Sequence, residues 1–123
     1  MGLTGAETLG PVFFSEAVVK RGLPLAEFAR MTASGPARLM GLSSRKGAIR
    51  IGADADLALY DPNNEWLVSG HLFQGLAPWS AFEGLACRGK VVRTMVRGTS
   101  VQIEGHRHVE PGHGQFLTRD RPQ

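Results

Sequence analysis

Hydrophobic residues along the chain change their period near residue 46. Up to that point they follow helical spacing, and beyond it they alternate. Residues 2–8 form a glycine-spaced approach to a first helix, with Thr4 and Glu7 spaced as a capping box. That helix is expected to run to about Lys20 and stop at Gly22. Leu9, Val12, Phe13, Phe14, Ala17, Val18 and Val19 make it apolar on nearly every face, the mark of a helix buried on several sides. Pro24 opens a second helix, with Leu25, Phe28, Ala29 and Thr32 on one stripe. Ser34 and Pro36 are expected to end it and to start a short third helix over 36–40, closed by Gly41.

From Ala48 the period is two. Ile49 and Ile51, then Leu57 and Leu59, predict strands on either side of a turn at 52–54. The run DPNN at 61–64 predicts a turn, and 65–69 a short strand. Residues 70–84 read as an irregular loop carrying Trp79 and Phe82. The clearest hairpin pairs 91–96 with 99–104 around Arg97-Gly98, which puts glycine where positive φ is needed. A polar tail follows from His106. No internal repeat appears. The expected fold class is α+β: about three helices, then a small antiparallel sheet of four or five strands.

Composition narrows the function classes. The 123 residues are 42% hydrophobic and 20% charged, ordinary for a globular chain with one modest core. The net charge of +3 is scattered rather than gathered with aromatics, so nucleic acid is not an expected partner. No apolar stretch approaches the roughly 20 residues that span a bilayer, and no secretory leader is visible, so no membrane partner is expected. A lone Cys87 excludes an internal disulfide framework, and the cytoplasm is the expected location.

The candidate chemistry is sparse. His106-x-His108 could place two rings on one strand face as a metal pair, with Glu104, Glu110 or His113 as a third ligand. A solvated tail rich in histidine explains the same residues. Asp54 and Asp56 could be paired carboxylates for acid/base work, but turn chemistry accounts for them better. Arg88 could lower the pKa of Cys87, although a buried structural thiol is the commoner case. No nucleophile elbow, dinucleotide fingerprint or phosphate loop occurs. The expected catalytic and metal-binding sets within the chain are therefore both empty.

Taken together, the motifs resemble a known family. KGAIRIGADADLALYD at 46–61 is similar to the segment by which metal-dependent amidohydrolases leave their barrel for a small β-sandwich. GLTGAETLGPVFFSEAVVKRGLPL resembles the last barrel loop and helix of the cyclic amidohydrolases: allantoinase, dihydropyrimidinase (hydantoinase) and dihydroorotase. MTASGPARLMGLSSRKG is similar to their next helical step, with Gly35 where the family more often has Asn. APWSAFEGLACRGKVVRTMVRGTSVQIEG and EPGHGQF resemble their closing hairpin and tail. The match is collinear over nearly the whole chain.

The resemblance implies helices equivalent to the end of a TIM barrel over 1–45, part of a composite β-sandwich over 46–105, and a tail over 106–123. It implies a hydrolase of cyclic amides in which a metal-bridged hydroxide attacks the ring and an aspartate shuttles the proton. That metal, zinc or another divalent ion, is held in the family by residues upstream of the position of Met1, so no cofactor is expected in this chain. What it would retain is one wall of the substrate pocket: Gly2 and Thr4, with Gly5 allowing close approach. The expected partners are a cyclic amide substrate in the complete enzyme and either further copies of the chain or the missing N-terminal barrel portion. The chain alone is expected to be inactive. The alternative is a non-enzymatic oligomerisation or assembly module of the same descent.

Overall fold

In a computed structural model, residues 5–75 and 78–119 are described. Three short α-helices, with two π-helical stretches continuing them, precede a four-stranded sheet. Helix α1 spans Leu9–Phe13 and passes directly into a π-helical stretch, Phe14–Val19. Gly22, at φ 71°, ends the run, and its N–H donates to the Val18 carbonyl at 3.1 Å, as its sequence position leads one to expect. The proposed capping box falls partly outside the described residues, because Thr4 does. The Glu7 carboxylate instead accepts the backbone N–H of Gln74 at 2.9 Å.

Helix α2, Leu25–Ala29, continues through a π-helical stretch, Arg30–Ser34, into α3, Gly35–Leu39. The expected break at Ser34 and Pro36 does not occur. Pro36 sits at the start of α3, where a missing N–H is least costly, and the widened π turn supplies the adjustment. Gly41, at φ 64°, closes the run.

Strands β1 (Leu57–Leu67), β2 (Ala86–Val96), β3 (Thr99–Ile103) and β4 (His106–Arg107) lie in that order in the sheet. Two expectations are corrected here. Ile49 and Ile51 form no strand and are exposed, at 91% and 103%. Their segment is held as a loop, with Arg50 donating to the Ser43 and Ser44 carbonyls and Ala53 N–H to the Arg50 carbonyl. The DPNN turn is also absent, since β1 runs through it. Edge position explains this: Pro62 costs no ladder bond on a free edge, and Asp61 Oδ1 satisfies the Asn63 N–H at 2.9 Å.

The hairpin between β2 and β3 is as expected. Arg97 (φ 50°) and Gly98 (φ 80°) form a two-residue turn with both φ positive, and Val96 pairs with Thr99. A register shift between Thr94 and Met95 marks a bulge. Glu104 (φ 48°) and Gly105 (φ 84°) repeat the device between β3 and β4, so the polar tail begins as a strand.

The chain divides into two compact units, Met1–Pro24 with Tyr60–Val91, and Leu25–Leu59 with Val92–Gln123. In the first, Val12, Val68 and Cys87 form a buried cluster, with Trp66, Phe73 and Leu85 against it. Phe14 is 4% exposed and stacks on Tyr60, ring centroids 5.0 Å apart. In the second unit Phe28 and Ala37 are buried, while Leu25, Leu39, Ile49 and Ile51 face outward. The first-helix expectation holds only in part: Val12 and Phe14 are buried, but Leu9 is 74% exposed.

Candidate functional site

Gly2 and Thr4, two of the three residues expected to wall a pocket, lie outside the described residues. Gly5 is described. Its carbonyl accepts the N–H groups of Thr8 (3.2 Å) and Leu9 (2.9 Å) and the Thr8 hydroxyl (3.3 Å), which starts α1. Thr8 is fully buried, so this turn is fixed from beneath. Among the described residues, chain neighbours aside, no atom stands within 4 Å of where a Gly5 Cβ would be.

The signature stretch at 46–61 carries a charge clasp within the second unit. Lys46 Nζ lies 2.7 Å from Asp54 Oδ2 and also meets Asp56. Arg45 grips both oxygens of Asp54, at 3.1 and 2.9 Å. Asp56 accepts the Arg97 N–H at 2.8 Å, tying the clasp to the β2–β3 turn, and the Arg97 guanidinium reaches the His113 carbonyl at 2.5 Å. The hydrogen bond from Lys46 holds Asp54 below the usual carboxylate range, helped by Arg45. Burial works against the charge on Asp56, but Lys46 and the Arg97 N–H still hold it low. Burial likewise opposes the Lys46 ammonium, and its hydrogen bonds to the two aspartates keep its pKa raised. The sequence points to turn chemistry for these aspartates; their partners in the structure are Arg45, Lys46 and, for Asp56, also the Arg97 N–H.

In the first unit a cleft of about 450 Å³ is lined by Lys20, Glu65, Trp66, Leu67, Ala86, Cys87 and Arg88. Three of its polar side chains are engaged by the protein. Lys20 pairs with Glu16, Arg88 donates to Asn63 Oδ1 at 2.9 Å, and the Trp66 indole N–H donates to the Gly89 carbonyl at 3.0 Å. The buried Ser15 hydroxyl accepts the Arg88 N–H at 3.0 Å. Ser15 was not singled out from sequence, and Glu7 only as a capping-box residue. Their partners are 73 and 67 residues away, and no local spacing announces such bonds.

The histidines do not converge. His106 and His108 are exposed, with His106 in β4 and the His108 N–H bonded to the Val101 carbonyl. Among the described residues no group of three or more His, Cys, Asp or Glu could hold a metal ion. Among the described residues no helix is long and apolar enough to cross a membrane.

The sequence profile of the Amidohydrolase family matches residues 10–101. The chain belongs to that family. L-hydantoinase of Paenarthrobacter aurescens is 38% identical over 118 residues, covering 96% of this amidohydrolase chain and 26% of the relative. D-phenylhydantoinase of Escherichia coli is 34% identical over the same shares. The solved structure of L-hydantoinase (dihydropyrimidinase) from Arthrobacter aurescens superposes with a TM-score of 0.92 over 96% of this chain and 26% of its own. The amidohydrolase chain thus spans about a quarter of the length of these relatives. Its mixture of helices and a four-stranded antiparallel sheet matches theirs.

Proposed function

We propose that this chain is the C-terminal portion of a metal-dependent hydrolase of C–N bonds in cyclic amides such as hydantoins, dihydropyrimidines or allantoin. In this reading it works only with the remainder of a barrel that carries the metal ligands. Helices α1 to α3 close the barrel, β1 to β4 belong to a sandwich completed by strands outside the chain, and Gly2, Thr4 and Gly5 form one wall of the substrate pocket. The observation that carries the reading is the superposition at a TM-score of 0.92 on 26% of an L-hydantoinase. A quarter-length piece that keeps its relative's shape is suited to completing that relative's fold.

The test is complementation. The chain purified alone with Zn²⁺ is expected to leave hydantoin, dihydrouracil and allantoin intact. Co-expressed with the other three quarters of a hydantoinase, it is expected to form a complex that hydrolyses one of them. Turnover by the chain alone would refute the incompleteness. A stable complex without turnover would favour the assembly-module alternative. The outward-facing Ile49 and Ile51 and the free edge of β1 are the observations that favour that alternative.

A further inference from the structure

The first unit contains a long excursion between β1 and β2, residues 69–84, that is closed at its base. Val68 N–H donates to the Leu85 carbonyl at 3.0 Å and Gly84 N–H to the Val68 carbonyl at 2.8 Å. Val68 itself is 1% exposed. A second clamp lies just above: Glu83 accepts the Gly70 N–H at 2.8 Å, and that bond holds its carboxyl below the usual range, with Ser69 assisting. The two arms touch there, since a Cβ on Gly70 would stand 2.3 Å from the Trp79 backbone. The loop is thus fastened twice to a buried base, in the manner of a compact Ω-loop.

From this body a side-chain bond reaches the turn ahead of α1. Glu7 Oε1 accepts the Gln74 N–H at 2.9 Å. Glu7 lies within the turn whose first carbonyl, that of Gly5, is held by Thr8 and Leu9. Behind that turn Thr8 is fully buried, so the turn is fixed by the core on one side and by Glu7 on the other.

We propose that the two described arms of this excursion, residues 69–75 and 78–84, act as a brace that sets the position of the Gly5 turn through Glu7. The proposal rests on the pocket-wall reading for its functional meaning. In the assembled enzyme, Glu7 would be a positioning residue for the wall.

Amide hydrogen exchange on the intact 123-residue chain tests it with no need for activity. With Glu7→Ala, the Gln74, Thr8 and Leu9 amides are expected to exchange together, about tenfold faster, the scale of losing one charge-assisted hydrogen bond. Glu7→Gln keeps a carbonyl acceptor and is expected to restore much of the protection at all three. The β2–β3 hairpin amides serve as the reference and are expected to be unchanged. Acceleration of Gln74 alone, no restoration by Gln, or a uniform rise across the chain would each overturn the brace. A failed complementation assay would leave the brace standing, and a failed exchange experiment would leave the family reading standing.

Discussion

Gly89 is a position where one methyl group should be costly on two counts. Its φ is 97°, outside the range L-residues adopt comfortably, and a Cβ there would lie 2.4 and 2.5 Å from Cδ1 and Cε1 of Phe14. The ring has little room to retreat. Phe14 is 4% exposed and stacks on Tyr60, whose hydroxyl already stands 2.6 Å from where a Gly10 Cβ would be. Gly89→Ala therefore carries two penalties: about 1–3 kcal/mol for backbone strain, and about 1–3 kcal/mol for overpacking. Their sum, roughly 2–6 kcal/mol, is a large share of the 5–15 kcal/mol that holds a typical domain. Gly84→Ala separates the two. Gly84 belongs to the same unit, has φ 77° and meets no atom within 4 Å, so it should show the backbone penalty alone. Urea unfolding followed by tryptophan fluorescence reads both, because Trp66 donates to the Gly89 carbonyl. If the two variants lose the same stability within about 0.5 kcal/mol, the Phe14 contact is not what requires glycine, and the reasoning fails.

Other outcomes follow from the same contacts. Ser15→Ala removes the acceptor for the Arg88 N–H in a fully buried position and should cost about 1–3 kcal/mol in thermal unfolding; a loss near zero would mean the amide finds another partner. Asp54 and Asp56 are held below their ordinary value of 3.8, so their contribution to stability is full above that pH and drains away as pH falls through it. The contribution of Lys46, whose pKa is raised above 10.5, is full below that pH and lost as pH climbs past it. A pH series of urea midpoints should show a shallower acid limb for Asp54→Asn with Asp56→Asn than for the unaltered chain, and parallel limbs would contradict the clasp. Ile49→Ser and Ile51→Ser should change the stability of the isolated chain by less than about 0.5 kcal/mol, yet weaken its complex with the complementing three quarters of a hydantoinase. A pull-down against that portion would show no change if these residues face solvent there too.

What could be read in the sequence was whatever is set locally. Gly22 and Gly41 stop helices because the left-handed conformation they adopt is inexpensive only for glycine. Arg97-Gly98 makes a hairpin for the same reason. Alternation failed at Ile49 and Ile51 because a period of two needs a neighbouring strand to become one, and Arg50 secures the segment to two carbonyls instead. DPNN failed in the opposite direction: its turn chemistry is satisfied within a strand that keeps a free edge. The second hairpin, at Glu104-Gly105, leads into a stretch that the sequence reads only as a polar tail. At the candidate site Gly5 is named by the family resemblance alone, not by a local pattern. Its support by Glu7 and Gln74 could not be read in the sequence, because contact across 67 residues is a property of the fold and leaves no local pattern.

Cys87 gives this chain a built-in clock. It is the one thiol in the sequence, 4% exposed and enclosed with Val12 and Val68. With so little of the thiol exposed at the cleft wall, labelling speeds up when that cluster parts, so changes in the rate follow the opening of the first unit with no engineered probe. A complementing barrel that binds only the closed form must slow that rate by the free energy it contributes. Under the proposed function, a single sulfur would thus report whether a complementing barrel is bound.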